Sequence, residues 1–325
     1  MTETPHMDAV VIPRFGGAEV LRSDRIAVPV PGPGQVAIDV AFAGANFAEI
    51  LYRRGIAPVP LPFVPGIEVA GRIRAVGPGV THLEVGRPVA ALSIVDGGGY
   101  AEVVVTAADL VAELDPDMDL ATAAGVPSNS TTAFLVLDRV ARIEPGERVL
   151  VHAAAGGVGS QLGQVARLLG AGRVVGTVGS AAKIAVAEAF GYDEVLLRDK
   201  VSGAGEFDVV VDMVGGPARR AGADLLAPMG RLIVMGNASG AADVGISAND
   251  LWFTNRTVSG FNLAGFAAVR PAQAGAALRR AVHAVSTGRL TVAVETLPLA
   301  AAAEAHRRIE SGTTTGKLVL EVAPR

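Results

Sequence analysis

One stretch limits this chain more than any other: Val149-Leu150-Val151-His152-Ala153-Ala154-Ala155-Gly156-Gly157-Val158-Gly159-Ser160. An apolar run of strand type ends in small residues. A helical pattern then starts at Gln161-Leu162-Gly163-Gln164-Val165-Ala166-Arg167-Leu168-Leu169. Strand, glycine turn and helix in that order turn a weak glycine pattern into a dinucleotide site. The glycines let the backbone approach a pyrophosphate, and the helix start offers unpaired N–H groups and a positive dipole end. In the six-position spacing Ala154 stands where the first glycine is usual, with Gly156 and Gly159 in the other two places. The competing reading is a plain tight turn.

The surroundings extend the pattern. From about residue 121, apolar strands at Arg148–His152, Arg173–Val178, Asp208–Asp212 and Arg231–Gly236 alternate with helical patterns that include Ser160–Leu169 and Ala181–Phe190. That alternation predicts an α/β fold with a doubly wound parallel sheet and right-handed crossovers. The first third reads differently. Alternation such as Gln35-Val36-Ala37-Ile38-Asp39-Val40 is broken by turn signals at Pro31-Gly32-Pro33-Gly34, Val64-Pro65-Gly66 and Val76-Gly77-Pro78-Gly79. Short strands between such turns predict a small antiparallel barrel. The chain ends in a helix, Ala301–Ile309, and a strand, Lys317–Val322, which we expect to rejoin the first domain. With 325 residues, two domains are the prior. The expected divisions are 1–122, 123–265 and a returning segment 266–325.

Composition removes several function classes. Half the residues are hydrophobic but only 4% aromatic, so small apolar side chains fill the interior, as suits buried parallel strands. A net charge of −4 gives no basic excess for nucleic acid. No apolar run approaches a membrane span. The start, Met1-Thr2-Glu3-Thr4-Pro5-His6, has neither the basic region nor the apolar core of a signal peptide, so the expected location is cytoplasmic. There is no cysteine, which excludes disulfides, thiolate nucleophiles and cysteine-bound zinc. His6, His82, His152, His283 and His306 form no HExxH and no close pair. No metal is expected, although a site assembled from distant histidines and carboxylates stays open.

The end of the second strand of the nucleotide unit selects among cofactors. It reads Thr177-Val178-Gly179-Ser180, without the acid that usually holds the 2′-hydroxyl of NAD. Ser180 and Lys183 offer a hydroxyl and an ammonium instead, and Arg198 follows the next strand. These groups suit a 2′-phosphate, so the expected cofactor is NADPH. The alternatives are that Ser180 caps its helix and Lys183 is a solvated charge.

The chain resembles the zinc-independent quinone oxidoreductases of the medium-chain dehydrogenase/reductase superfamily, and the related enoyl reductases of polyketide and fatty-acid synthesis. The likeness runs through Gly44-Ala45-Asn46-Phe47-Ala48-Glu49, Pro62-Phe63-Val64-Pro65-Gly66-Ile67-Glu68-Val69-Ala70-Gly71, Gly99-Tyr100-Ala101-Glu102 and the 152–160 loop. It continues through Asp212-Met213-Val214-Gly215-Gly216, Ala305-His306-Arg307 and Thr315-Gly316-Lys317-Leu318-Val319-Leu320. The resemblance implies a GroES-like catalytic domain, a Rossmann domain and a cleft that holds the nicotinamide. It implies that Gly156, Gly157, Val158 and Gly159 line the pyrophosphate, and that Val214, Gly215 and Gly236 pass near the adenosine or the middle of the cofactor. It places Asn46 near the nicotinamide and its ribose, Thr132 on the nicotinamide side of the cleft, and Lys317 in the cofactor cleft. Their alternatives are a turn residue, a helix cap and a solvated lysine. Family members are commonly homodimers joined along Rossmann sheet edges, and Thr257-Val258-Ser259-Gly260-Phe261-Asn262-Leu263 looks like such an edge, or else an internal strand.

Several positions depart from the family. A tyrosine common at the position of Leu51 stands one place later, as Tyr52, which on a helix rotates it by about 100°. Glu49 replaces an aspartate, Gly86-Arg87-Pro88-Val89 replaces Gly-Asp-Arg-Val, and Asn129-Ser130-Thr131-Thr132-Ala133 replaces Gln-Gly-Leu-Thr-Ala. The tyrosine near the 2′-phosphate has no counterpart beside Arg198. The implied reaction delivers hydride from NADPH to the β-carbon of a quinone, enone or enoyl thioester, free or carrier-bound. Hydrogen bonds then steady the developing oxyanion. Tyr52 and Asn46 are the catalytic candidates, with Tyr52 alternatively a packed surface aromatic. Trp252 and Phe253 are candidates for the cleft or a dimer contact. Ketone or alcohol oxidoreduction, and NADPH binding without turnover, are the alternative functions.

Overall fold

A computed structural model describes residues 5–322. Met1, Thr2, Glu3 and Thr4, part of the stretch read for a targeting signal, lie outside them. The described residues form two compact units. One combines the chain up to Thr131 with the chain from Leu263 onward, and the other is Thr132–Asn262. No helix among the described residues is long and apolar enough to cross a membrane.

The first unit begins with β1 (His6–Val11) and β2 (Arg22–Ala27), an antiparallel pair. β3 (Gln35–Ala45) follows, then α1 (Phe47–Arg53), β4 (Glu68–Val76), β5 (Pro88–Leu92), β6 (Val103–Ala107), β7 (Val111–Glu113) and α2 (Leu120–Ala124). β3 pairs antiparallel with β4 and β6, β4 with β5, and β5 with β7. Val36, Ile38, Val40, Val69, Ile73 and Val89 fill the interior of this sheet. The β3–β4 register slips between Val40 and Phe42, beside Gly71. A Cβ on Gly71 would lie 2.0 Å from the Asp39 carbonyl oxygen, so only glycine admits this close crossing.

α3 (Asn129–Phe134) runs through the division into a π-helical turn, Leu135–Val140. The second unit then builds β8 (Arg148–His152), α4 (Gly157–Leu168), β9 (Arg173–Val178), α5 (Ile184–Glu188), β10 (Glu194–Leu197) and β11 (Phe207–Asp212). It finishes with α6 (Gly216–Asp224), β12 (Leu226–Val234), α7 (Ala248–Thr254) and β13 (Thr257–Gly260). All six strands are parallel, in the order β10-β9-β8-β11-β12-β13. This is the doubly wound Rossmann order, with its switch point at β8. β8, β9 and β11 are buried along almost their whole length, which is why they read as continuous apolar runs.

Two elements differ from the sequence reading. The helix expected over Ala181–Phe190 is a 3₁₀ turn, Ala181–Lys183, followed by the short α5. The strand expected over Arg231–Gly236 begins at Leu226, passes through Met229 with φ at +66°, and ends at Val234. The Ala227-Pro228-Met229-Gly230 sequence resembles a turn, yet here it is an irregular strand start whose register against β11 also slips.

The chain then returns through α8 (Leu263–Val269), α9 (Pro271–Ser286), β14 (Val294–Pro298), α10 (Ala302–Glu310) and β15 (Lys317–Glu321). β15 pairs antiparallel with β3 and parallel with β14, completing the order β14-β15-β3-β4-β5-β7 with β6 also on β3. The last strand thus brings Lys317 to the end of β3, just before Asn46. This fold is GroES-like in the first unit and Rossmann in the second.

Candidate functional site

In the second unit β8 ends in a tight turn. Ala153 takes φ +58°, a conformation that L side chains adopt at a cost, and extended Gly156 precedes α4. A Cβ on Gly159 would lie 2.1 Å from the Ala153 carbonyl oxygen, so the first turn of α4 packs on this turn only as glycine. Ala154 is tolerated in the first glycine place because its neighbour in β9 is Gly176, where a Cβ would come within 2.6 Å of the Ala154 methyl. The loop is anchored by the Ala154 N–H donating to Thr177 at 2.9 Å and by the Tyr192 hydroxyl donating to the Gly159 carbonyl at 2.6 Å. Gly156, Gly157 and Val158 remain partly exposed at the start of α4.

A cavity of about 630 Å³ opens past the ends of β9 and β10, lined by Gly179, Ser180, Arg198 and the first turn of α6. Ser180 is exposed and precedes the 3₁₀ turn, but its side chain makes no capping bond. The Nε of Arg198 is buried without a hydrogen-bond partner. Burial lowers the pKa of Lys183, and the Arg198 charge lowers it further. Burial also lowers that of Arg198, while Asp212 opposes the shift. Two cations therefore lie within each other's field beside a cavity. Asp199 lines it as well, but its side chain is 73% exposed and faces Lys200. This donor set fits the 2′-phosphate of NADPH.

The ends of β11 and β12 are tied together by one side chain. Buried Asp212 accepts the N–H groups of Val214 and Gly215 at 2.9 and 3.0 Å. Arg219 donates to Asp212 at 2.8 Å, to the Gly236 carbonyl at 2.7 Å and to Asp243 at 2.5 Å. Gly215 takes φ +80°, and a Cβ there would lie 2.1 Å from Asn237 Oδ1. Val214, Gly215 and Gly236 thus belong to one hydrogen-bonded loop system. Beside it, His152 shares a 2.8 Å bond with the Thr177 hydroxyl. Burial pushes its pKa down to about 4, so it is neutral.

In the first unit a second cluster forms at the start of α1. Asn46 precedes the helix in an extended conformation, and Glu49 accepts its backbone N–H at 2.9 Å. The Asn46 Nδ2 donates to Glu68 at 2.8 Å, and Lys317 donates to Asn46 Oδ1 at 2.5 Å. Lys317 also pairs with Glu68. Glu49, Glu68 and Lys317 are all buried. Burial, opposed by Lys317, raises the Glu49 carboxyl to about 7. The structure thus joins Asn46 and Lys317, both expected, around Glu68, which the sequence reading quoted but gave no role. An acid inside the apolar run Ile67-Glu68-Val69-Ala70 was the available signal.

Tyr52 lies on the same helix, half-buried and edge-on to Phe63 at 5.8 Å. Burial and the Glu49 charge push its phenol up to about 12. Thr132 is buried inside α3 rather than at its start. A second buried chain was not foreseen. Tyr100 meets His306 at 3.3 Å, His306 meets Arg53 at 3.4 Å, and Arg53 pairs with Glu310 at 2.5 Å. In the other unit Trp252 and Phe253 are stacked at 4.7 Å and exposed by 70% and 74%.

Residues 32–116 match the alcohol dehydrogenase GroES-like domain family, and residues 188–320 match the zinc-binding dehydrogenase family. Human quinone oxidoreductase is 34% identical over 330 residues, 97% of each chain. The 2-haloacrylate reductase of a Burkholderia species is 32% identical over 335 residues, 96% of this chain and 98% of its own. The crystal structure of Escherichia coli quinone oxidoreductase complexed with NADPH is similar with a TM-score of 0.86 at 29% identity, covering 97% of this chain and 99% of that one. The zinc of the second family's description does not fit these residues. The chain has no cysteine, and among the described residues no three of His, Asp and Glu are grouped to hold a metal.

Proposed function

Because this chain belongs to the quinone oxidoreductase branch of the medium-chain dehydrogenase/reductase superfamily, we propose that it is an NADPH-dependent reductase of activated carbon–carbon double bonds that works without zinc. The observation that carries the reading is the cavity of Ser180 and Arg198, with Lys183 nearby, at the end of the strand that pairs with β8. The relative named for 2-haloacrylate reduction, an activated alkene, supports the acceptor class.

NADPH, when bound, supplies the hydride; the protein supplies position and charge. The backbone at Gly156, Gly157, Val158 and Gly159 holds the pyrophosphate at the start of α4. Ser180, Lys183 and Arg198 hold the 2′-phosphate. Val214, Gly215 and Gly236 line the middle of the cofactor, while Thr132, Asn46 and Lys317 serve its nicotinamide end. Tyr52, kept neutral by burial and by Glu49, donates a hydrogen bond to the acceptor's carbonyl oxygen as negative charge develops there. Water supplies the proton to the α-carbon. The working form is a homodimer paired along β13, the terminal strand of its sheet, with Trp252 and Phe253 at the contact.

The deciding experiment follows NADPH oxidation across a quinone, a small enone and an enoyl thioester, with NADH in parallel and a chelator added. We expect acceptor-dependent oxidation, faster with NADPH and unchanged by the chelator. Tight NADPH binding with no oxidation of any acceptor would make this a binding protein. Loss of activity on chelation would restore a metal.

A further inference from the structure

The buried carboxylate of Glu68 takes no part in the chemistry above, yet the fold makes room for it. It faces Gly44, where a Cβ would stand 2.3 Å from its Oε1 and 2.6 Å from its Cδ. Only glycine there lets the carboxylate lie against β3. Glu68 Oε1 accepts from Asn46 Nδ2 at 2.8 Å and pairs with Lys317, and Oε2 accepts the Ser128 N–H at 2.7 Å. Lys317 closes the circuit on Asn46 Oδ1 at 2.5 Å.

This circuit determines which way the amide points. The Asn46 oxygen faces an ammonium and its nitrogen faces a carboxylate. Turning the amide over would set N–H against N–H and oxygen against oxygen. Both partners, Glu68 and Lys317, are buried, where an unpaired polar group is costly. We infer that Glu68 and Lys317 are positioning residues that lock the Asn46 amide in one orientation for the nicotinamide half of the cofactor. The inference rests on the cofactor reading above. It gives the buried ammonium of Lys317 the task of holding Asn46.

Calorimetric binding of NADPH and of 2′,5′-ADP, a fragment lacking the nicotinamide, tests it on the full chain and on E68Q, K317M and the double variant. We expect 2′,5′-ADP affinity to stay within about twofold throughout. NADPH affinity should fall by about tenfold in each single variant, the weight of one charge-assisted contact. The double variant should lose no more, because one lock is broken once. K317M alone leaves Glu49 and Glu68 without their buried cation, so its Tm should drop and recover in part in the double variant. The NADPH defect should persist through that recovery. Affinity that follows Tm, an equal loss for both ligands, or no loss at all would overturn the lock. If the unmodified chain binds neither ligand, the cofactor reading itself fails, and that result is distinct from the others.

Discussion

At the scale of single residues, the choice of cofactor rests on cations beside a cavity where the lining carboxylate, Asp199, faces Lys200. Burial, and then the Arg198 charge, lower the readiness of Lys183 to hold a proton, a disfavour that a dianionic phosphate opposes. Replacing Lys183 by Ala should raise KM for NADPH by about tenfold, the low end for a charged hydrogen bond on a partly exposed group. KM for NADH should stay within about twofold. Steady-state kinetics with both cofactors decides, and equal effects would remove the 2′-phosphate assignment. The glycines of the loop are not equivalent either. Gly159→Ala forces a Cβ to 2.1 Å from a backbone oxygen, whereas at Gly156 the nearest atom would be 3.3 Å away. Gly159→Ala should therefore cost roughly 2 kcal/mol or more in thermal or urea unfolding, and Gly156→Ala well under half of that.

At the scale of elements, Arg219 is the strut between β11 and β12. Its Asp212 partner is fully buried, so Arg219→Met leaves a carboxylate hydrogen-bonded only to backbone N–H groups, with Arg198 the cation still in its field. The expected loss is about 3 kcal/mol in urea unfolding. Faster hydrogen exchange confined to 213–216 and 236–243 should accompany it; uniform exchange would argue against a local strut. The strands of this region were legible for a physical reason. Val149–Val151 and Val209–Val211 are buried on both faces, so burial itself writes an unbroken apolar run. The start of β12 was hidden because Pro228, Met229 and Gly230 carry turn chemistry inside a strand. Ser180, Lys183 and Arg198 were legible because their spacing from two strand ends is local. The Glu68–Asn46–Lys317 circuit was not, because its members meet only when β15 pairs with β3. No periodicity within β4 or β15 records that pairing.

At the scale of the whole molecule, the two units should respond differently to acid. The second unit holds His152, pushed down to about 4 by burial, and the first holds His306, pushed down to about 3 by burial and by Arg53. Each stays neutral in the fold, while the unfolded chain takes up a proton below about 6.5. Below that pH the unfolded state therefore binds more protons, and each histidine lowers stability by up to about 1.4 kcal/mol per pH unit. Glu49, raised from 4.5 to about 7, acts in the opposite sense. Its folded form holds a proton that the unfolded chain releases, so this contribution is full below 4.5 and is lost as pH rises through about 7. Glu49 and His306 share the first unit and nearly cancel between pH 4.5 and 6.5, whereas His152 is unopposed in the second. Between those limits acid should loosen Thr132–Asn262 first. Hydrogen exchange read peptide by peptide at pH 5 and pH 7 tests this, with protection lost mainly in β8, β9 and β11. Glu49→Gln removes the opposing proton, so the first unit should then weaken in acid as steeply as the second. An unchanged first unit in that variant would mean that Glu49 is ionised in the fold, and with it the excess negative charge that Lys317 alone would have to balance.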